Sequence, residues 1–113
     1  MSKRAAQELP KAAREIVRRV VTAFLPDRVI VFGSHARGEA GADSDLDLLV
    51  VFNDLPRDGK RKRAQEIYTL LWDAPLATDV VVANGEDIRE HGDRIGLIYR
   101  PALREGVTAY QRS

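Results

Sequence analysis

A chain of 113 residues with 18 basic and 17 acidic side chains, a net charge of +1 and no cysteine is expected to form a single domain spanning 1–113. The balanced charge gives no single-sign field that would require nucleic acid. No stretch is apolar for long enough to cross a membrane, and no signal-peptide core follows Met1-Ser2-Lys3-Arg4. Without cysteine there is neither a disulfide framework nor a thiolate zinc site, and the default expectation is a cytoplasmic protein.

Leu9, Ala13, Ile16, Val20 and Phe24 recur at helical spacing, with Pro10 near the start and Pro26 as the stop, so the first element is an amphipathic helix. Pro26-Asp27 then breaks the chain before Arg28 to Phe32, a short apolar strand. Gly33 follows at once and lets the backbone turn sharply and come close to a ligand. Ser34 is expected to cap a short helical turn through Ala36 and Arg37. The N–H groups of that turn, and the fork of Arg37, would face an anion. His35 is placed on the lining of the same cleft.

Leu46 to Phe52 is a nearly continuous Leu- and Val-rich run, the pattern of a buried strand. Asp45 and Asp47 sit at its start. Side chains alternate along a strand, so the two carboxylates share a face, with α-carbons about 6 to 7 Å apart. Such a pair can converge on Mg²⁺, which favours oxygen ligands. Side by side without a cation they repel and raise each other's pKa. A lone Asp-x-Asp reads better as a solvated strand start. A phosphate cradle one loop upstream changes that balance.

Asn53 to Gly59 is a turn-rich loop, and a second helix runs from about Lys60 to Trp72 and stops before Pro75, with Ala64, Ile67, Leu70 and Leu71 toward the core. Lys60-Arg61-Lys62-Arg63 opens it, either as a solvated first turn or as a contact for triphosphate, an acidic partner or nucleic acid. Tyr68, Trp72 and Tyr99 are expected in the core or an interface. Ala77 to Ala83 forms a third strand that carries Asp79, an acid whose burial would need a partner or a metal. Asn84-Gly85-Glu86-Asp87 reads as a turn with a helix cap, and His91 as a surface turn residue. Ile95, Ile98, Tyr99 and Ala102 suggest a last helix bent at Pro101. Gly106 stops it, and Val107 to Tyr110 forms a closing edge strand.

Gly33-Ser34, ten residues, then Asp45-x-Asp47 resembles the signature of the polymerase-β nucleotidyltransferase superfamily. More narrowly, the chain looks like the minimal nucleotidyltransferases that act as antitoxins beside HEPN-type toxins, a resemblance running from the first helix to Glu105-Gly106-Val107. It implies an α/β fold, a short mixed β-sheet with packed helices. It also implies a catalytic metal site of Asp45, Asp47 and Asp79, with two Mg²⁺ ions and with Asp79 placed to draw a proton from the attacking hydroxyl. Gly33, Ser34 and Arg37 would then bind the nucleotide. ATP would be the donor, AMP the group moved, and a tyrosine of the toxin the acceptor, within a hetero-oligomer. Transfer to a small hydroxylated molecule and a non-catalytic nucleotide- or toxin-binding module remain alternatives.

Overall fold

The computed structural model describes residues 4–41, 43–91, 102 and 104–112. Its first helix, α1, is Lys11–Phe24, with Pro10 at the N-cap. Ala13, Ile16, Val17 and Val20 form the buried stripe that the spacing requires. The helix stops because Leu25 turns left-handed (φ 50°) and returns its N–H to the Val21 carbonyl at 3.0 Å. Strand β1 is Arg28–Phe32, the one-turn helix α2 is Ser34–Arg37, and strand β2 is Leu46–Phe52. Helix α3 is Lys60–Leu70 and strand β3 is Thr78–Asn84. Helix α4 is Gly85–His91 and strand β4 is Val107–Gln111, and short 3₁₀ turns, Ala6–Glu8 and Arg57–Gly59, precede α1 and α3.

The sheet runs in the order β3-β2-β1-β4. β1 lies antiparallel to both β2 and β4, whereas β2 and β3 are parallel, so the sheet is mixed as expected. Strand alternation sorts the side chains into two layers. Val29, Val31, Leu46, Leu48, Val50, Phe52, Val80 and Val82 meet α1 through Ile16 and Val20, and α3 and its C-cap through Ile67 and Leu71. Ile30, Leu49, Val51 and Ala83 form a smaller second layer with Ala102, flanked by Phe32, Val81 and Ile88. Each fully buried Ile or Leu contributes about 1.5–3 kcal/mol, so the two-sided burial of β2 dominates the core.

Two departures from the sequence reading have clear causes. α3 ends at Leu70, and Trp72 sits in the following turn, 88 % exposed. It lies past the last helical turn, where 3.6-residue periodicity no longer says which way a side chain points. Tyr68 is half-exposed, and its hydroxyl accepts the Val80 N–H at 2.9 Å. It thereby caps an edge strand that would otherwise offer an unpaired donor. At the other end of β3, Asn84 and Asp87 cap α4 reciprocally. The Asp87 N–H donates to Asn84 Oδ1 at 2.8 Å and the Asn84 N–H to Asp87 Oδ2 at 3.1 Å. The expected helix through Ile95, Ile98 and Tyr99 lies outside the described residues, and nothing is described of the side chain of His91. Val107 and Tyr110 pack on the core. No helix among the described residues is long and apolar enough to cross a membrane.

Candidate active site

The alternation that builds the core also places the acids. Along β2, Asp47 falls on the face of Leu49 and Val51; along β3, Asp79 falls on the face of Val81 and Ala83. The parallel register sets Asp47 directly beside Asp79, and the antiparallel register sets Phe32, the last residue of β1, beside Asp47. The turn that follows Phe32 therefore opens against the two acids. Asp45 comes two residues earlier, just before β2, and is exposed.

Gly33 is fitted to Asp47. Its backbone sits at φ 71°, ψ −152°, a region essentially restricted to glycine, and a Cβ there would overlap Asp47 Oδ2. Thus the glycine lets the Asp47 carboxylate pack against the turn itself. The backbone N–H groups of Ala36 and Arg37 are already spent on the Gly33 carbonyl, at 3.1 and 3.2 Å. Ser34 is the first helical residue rather than the cap. Gly33 holds the cap position, with no side-chain capping bond.

The electrostatics are those of a site short of positive charge. Burial pushes the Asp47 carboxyl above its usual range, the negative charges of Asp79 and then Asp45 push it further, and His35 and Arg37 pull the other way. Every side chain that crowds Asp47 with negative charge is an oxygen donor, which suits Mg²⁺. A divalent cation there would relieve the repulsion that disfavours the charged form. Among the described residues, no three acidic or histidine side chains already stand close enough together to hold an ion.

Arg37 is turned elsewhere. Its Nε donates to Glu39 Oε1 at 2.8 Å, and Nη1 lies 4.0 Å from Glu105 Oε2, both pairs being solvent-exposed. The hydrogen bond to Glu39 is the main cause that pushes the Arg37 guanidinium above its ordinary pKa. Exposed pairs of this kind contribute little to stability, so a triphosphate can compete for the guanidinium. His35 does not line a cleft: it is 4 % exposed, beneath the turn, with Nε2 3.3 Å from the Ser44 carbonyl. Sequence reasoning missed that contact and the partners of Arg37. Nothing in residue spacing shows which loop folds back over a short helix.

The basic run opening α3 is remote from the acids. Lys60 Nζ binds Asp87 Oδ2 at 2.7 Å, and the Arg63 guanidinium lies 4.5 Å from the centre of the Phe52 ring, at the far end of β2. Phe52 is five residues beyond Asp47, roughly 16 Å along an extended strand. Triphosphate held at the acids is therefore out of reach of Arg63. A cleft of about 300 Å³ lined by Asp27, Phe52, Asp54 and Arg63 lies at that same far end.

Residues 13–103 match the nucleotidyltransferase domain family, and the chain belongs to that family. Among curated proteins it is similar to a Methanocaldococcus jannaschii protein named as a candidate protein adenylyltransferase, with 38 % identity over 50 residues. That match takes in 42 % of this chain and 50 % of the relative, so it spans only half of the relative's length. Among solved structures, a candidate nucleotidyltransferase from Sulfolobus solfataricus superposes with a TM-score of 0.64 at 24 % identity, over 95 % of this chain and 84 % of that one. A chain of a toxin–antitoxin structure with AMP-PNP superposes with a TM-score of 0.56 at 17 % identity, over 88 % and 74 % of the two chains. At these identities the likeness to the solved structures is one of fold.

Proposed function

We propose that this chain is a Mg²⁺-dependent nucleotidyltransferase that moves AMP from ATP to a hydroxyl, and that the acceptor is a tyrosine of a HEPN-type ribonuclease toxin. It would act in the cytoplasm as the antitoxin in a complex with that toxin. The single observation that carries the reading is the convergence of Gly33, Asp47 and Asp79 at one end of the sheet. The similarity to a protein named as a candidate protein adenylyltransferase supports a protein acceptor, and the fold shared with a toxin–antitoxin chain supports a toxin as partner.

Asp45, Asp47 and Asp79 are the residues that would hold the metal. Bound Mg²⁺, as two ions, would offset the triphosphate charge and make the α-phosphorus more electrophilic. Asp45 and Asp79 are exposed, so their side chains can turn toward Asp47. Gly33 and Ser34 would receive the β- and γ-phosphates on the turn, with Arg37 leaving Glu39 to meet them. The acceptor oxygen forms a bond to the α-phosphorus in line with the α–β bridging oxygen, whose bond breaks to release pyrophosphate. Asp79, at the exposed edge of the site, takes the hydroxyl proton.

The test is to incubate the chain and its partner toxin with Mg·ATP and to read intact masses. The toxin should gain mass in steps of one AMP, on a tyrosine, as its ribonuclease activity falls. Mass on a small hydroxylated molecule with the toxin untouched would replace the protein acceptor. No transfer to anything, with nucleotide still bound, would make the chain a binding module.

A further inference from the structure

We propose that His35 is a positioning residue of this site, its Nε2–H tying the Ser44 carbonyl to the phosphate-binding turn so that Asp45 is held beside Asp47. The proposal rests on the nucleotidyltransferase reading above and adds to it a residue outside the acids and the cradle. A carbonyl can only accept, so the 3.3 Å contact requires a proton on Nε2. The ring is 4 % exposed, and its Nδ1 is buried with no hydrogen-bond partner among the described residues. An unmatched buried ring nitrogen is unfavourable, a penalty that an apolar side chain at this position would not carry. The polar ring is explained by what its other nitrogen does.

Ser44 is a junction. Its N–H donates to the Gly41 carbonyl at 3.2 Å and its hydroxyl accepts the Gly41 N–H at 2.9 Å, which closes the turn before the acids. On the other side of Asp45, the Leu46 N–H donates to the Ala77 carbonyl at 2.8 Å, starting the β2–β3 pairing. Asp45 is thus strung between two anchors. One ties it through His35 to α2, and the other ties it through Ala77 to the strand that carries Asp79. Without the first anchor, the loop that carries Asp45 loses the hydrogen bond that registers Ser44 against the turn after β1.

The experiment compares His35→Gln, whose amide N–H reaches about as far as Nε2, with His35→Leu, which keeps the bulk and loses the donor. Binding of Mg²⁺ with α,β-methylene ATP, whose α–β link resists transfer, is measured by calorimetry alongside thermal melts. His35→Leu should weaken Mg²⁺-dependent binding at least tenfold, while His35→Gln stays within about threefold of the wild type. Should His35→Leu not fold, His35→Asn takes its place with the same expectation, because its shorter amide cannot reach Ser44. Wild-type binding by the donor-less variant, or equal losses in the donor-bearing and donor-less variants, overturns the proposal. If the wild type binds no Mg·α,β-methylene ATP at all, the nucleotidyltransferase reading falls and the role of His35 falls with it.

Discussion

Asp47 and Asp79 sit side by side in the parallel register of β2 and β3, on one face of the sheet. Parallel pairing brings the starts of both strands to the same end, so two acids 32 positions apart in the sequence meet only because α3 carries the chain back before β3 begins. Asp45→Asn, Asp47→Asn and Asp79→Asn should each abolish Mg²⁺-dependent AMP transfer while the chain stays folded, as read by product mass and circular dichroism. Wild-type rates from the Asp45→Asn/Asp47→Asn double variant would sink the metal mechanism.

The raised pKa of Asp47 has a consequence for stability. Burial first, and then Asp79 and Asp45, make its charged form less favourable in the folded chain than in the unfolded one. The folded state therefore holds a proton to higher pH than the unfolded state does. The stabilisation from this group is present at low pH and is lost as pH rises through its folded pKa, above the ordinary carboxylate range. In metal-free buffer, Asp47→Asn should melt at a higher temperature than the wild type at neutral pH, and the gap should narrow as the pH is lowered. A gap that stays constant with pH would remove Asp47 as the cause.

Gly33→Ala should be more damaging than Ser34→Ala. The alanine at 33 must adopt a backbone region worth about 1–3 kcal/mol of strain and must also displace the Asp47 carboxylate. Both stability and Mg·ATP binding should fall together. Ser34→Ala removes one hydroxyl and should leave the melting temperature within a degree or two, because Ser34 is the first helical residue and Gly33, not Ser34, holds the cap position. Urea melts and nucleotide titrations on the two variants check this, and a Gly33→Ala protein that binds Mg·ATP like the wild type would contradict the fit of turn to acid.

At the end of α1, Leu25 is a left-handed residue with its side chain 62 % exposed. Little apolar burial would be lost by removing that side chain, and glycine reaches this conformation without the penalty that an L side chain carries there. Leu25→Gly should raise stability by up to about 1 kcal/mol, read as a shift of the urea midpoint with an unchanged slope. A lower midpoint would mean that the leucine packs on something in solution.

Leu46 to Phe52 was legible as a strand because its apolar run, buried on both faces, admits few other conformations, and Asp45-x-Asp47 on one face followed from alternation alone. The extent of α1 was set by its apolar spacing and by two prolines. Local chemistry thus determined most elements and the residues worth testing at the site. Tertiary structure decided how those residues relate. The β2–β3 register puts Asp79 beside Asp47, the close approach of β1's end makes Gly33 a fit for a carboxylate, and loop closure brings Ser44 to His35. It also sent Arg63 and Lys60 to the far end of the sheet and left Trp72 in solvent. The physical reason is one of range. Periodicity and turn chemistry act over a few residues, whereas strand register and loop closure depend on contacts between segments that the sequence holds tens of residues apart.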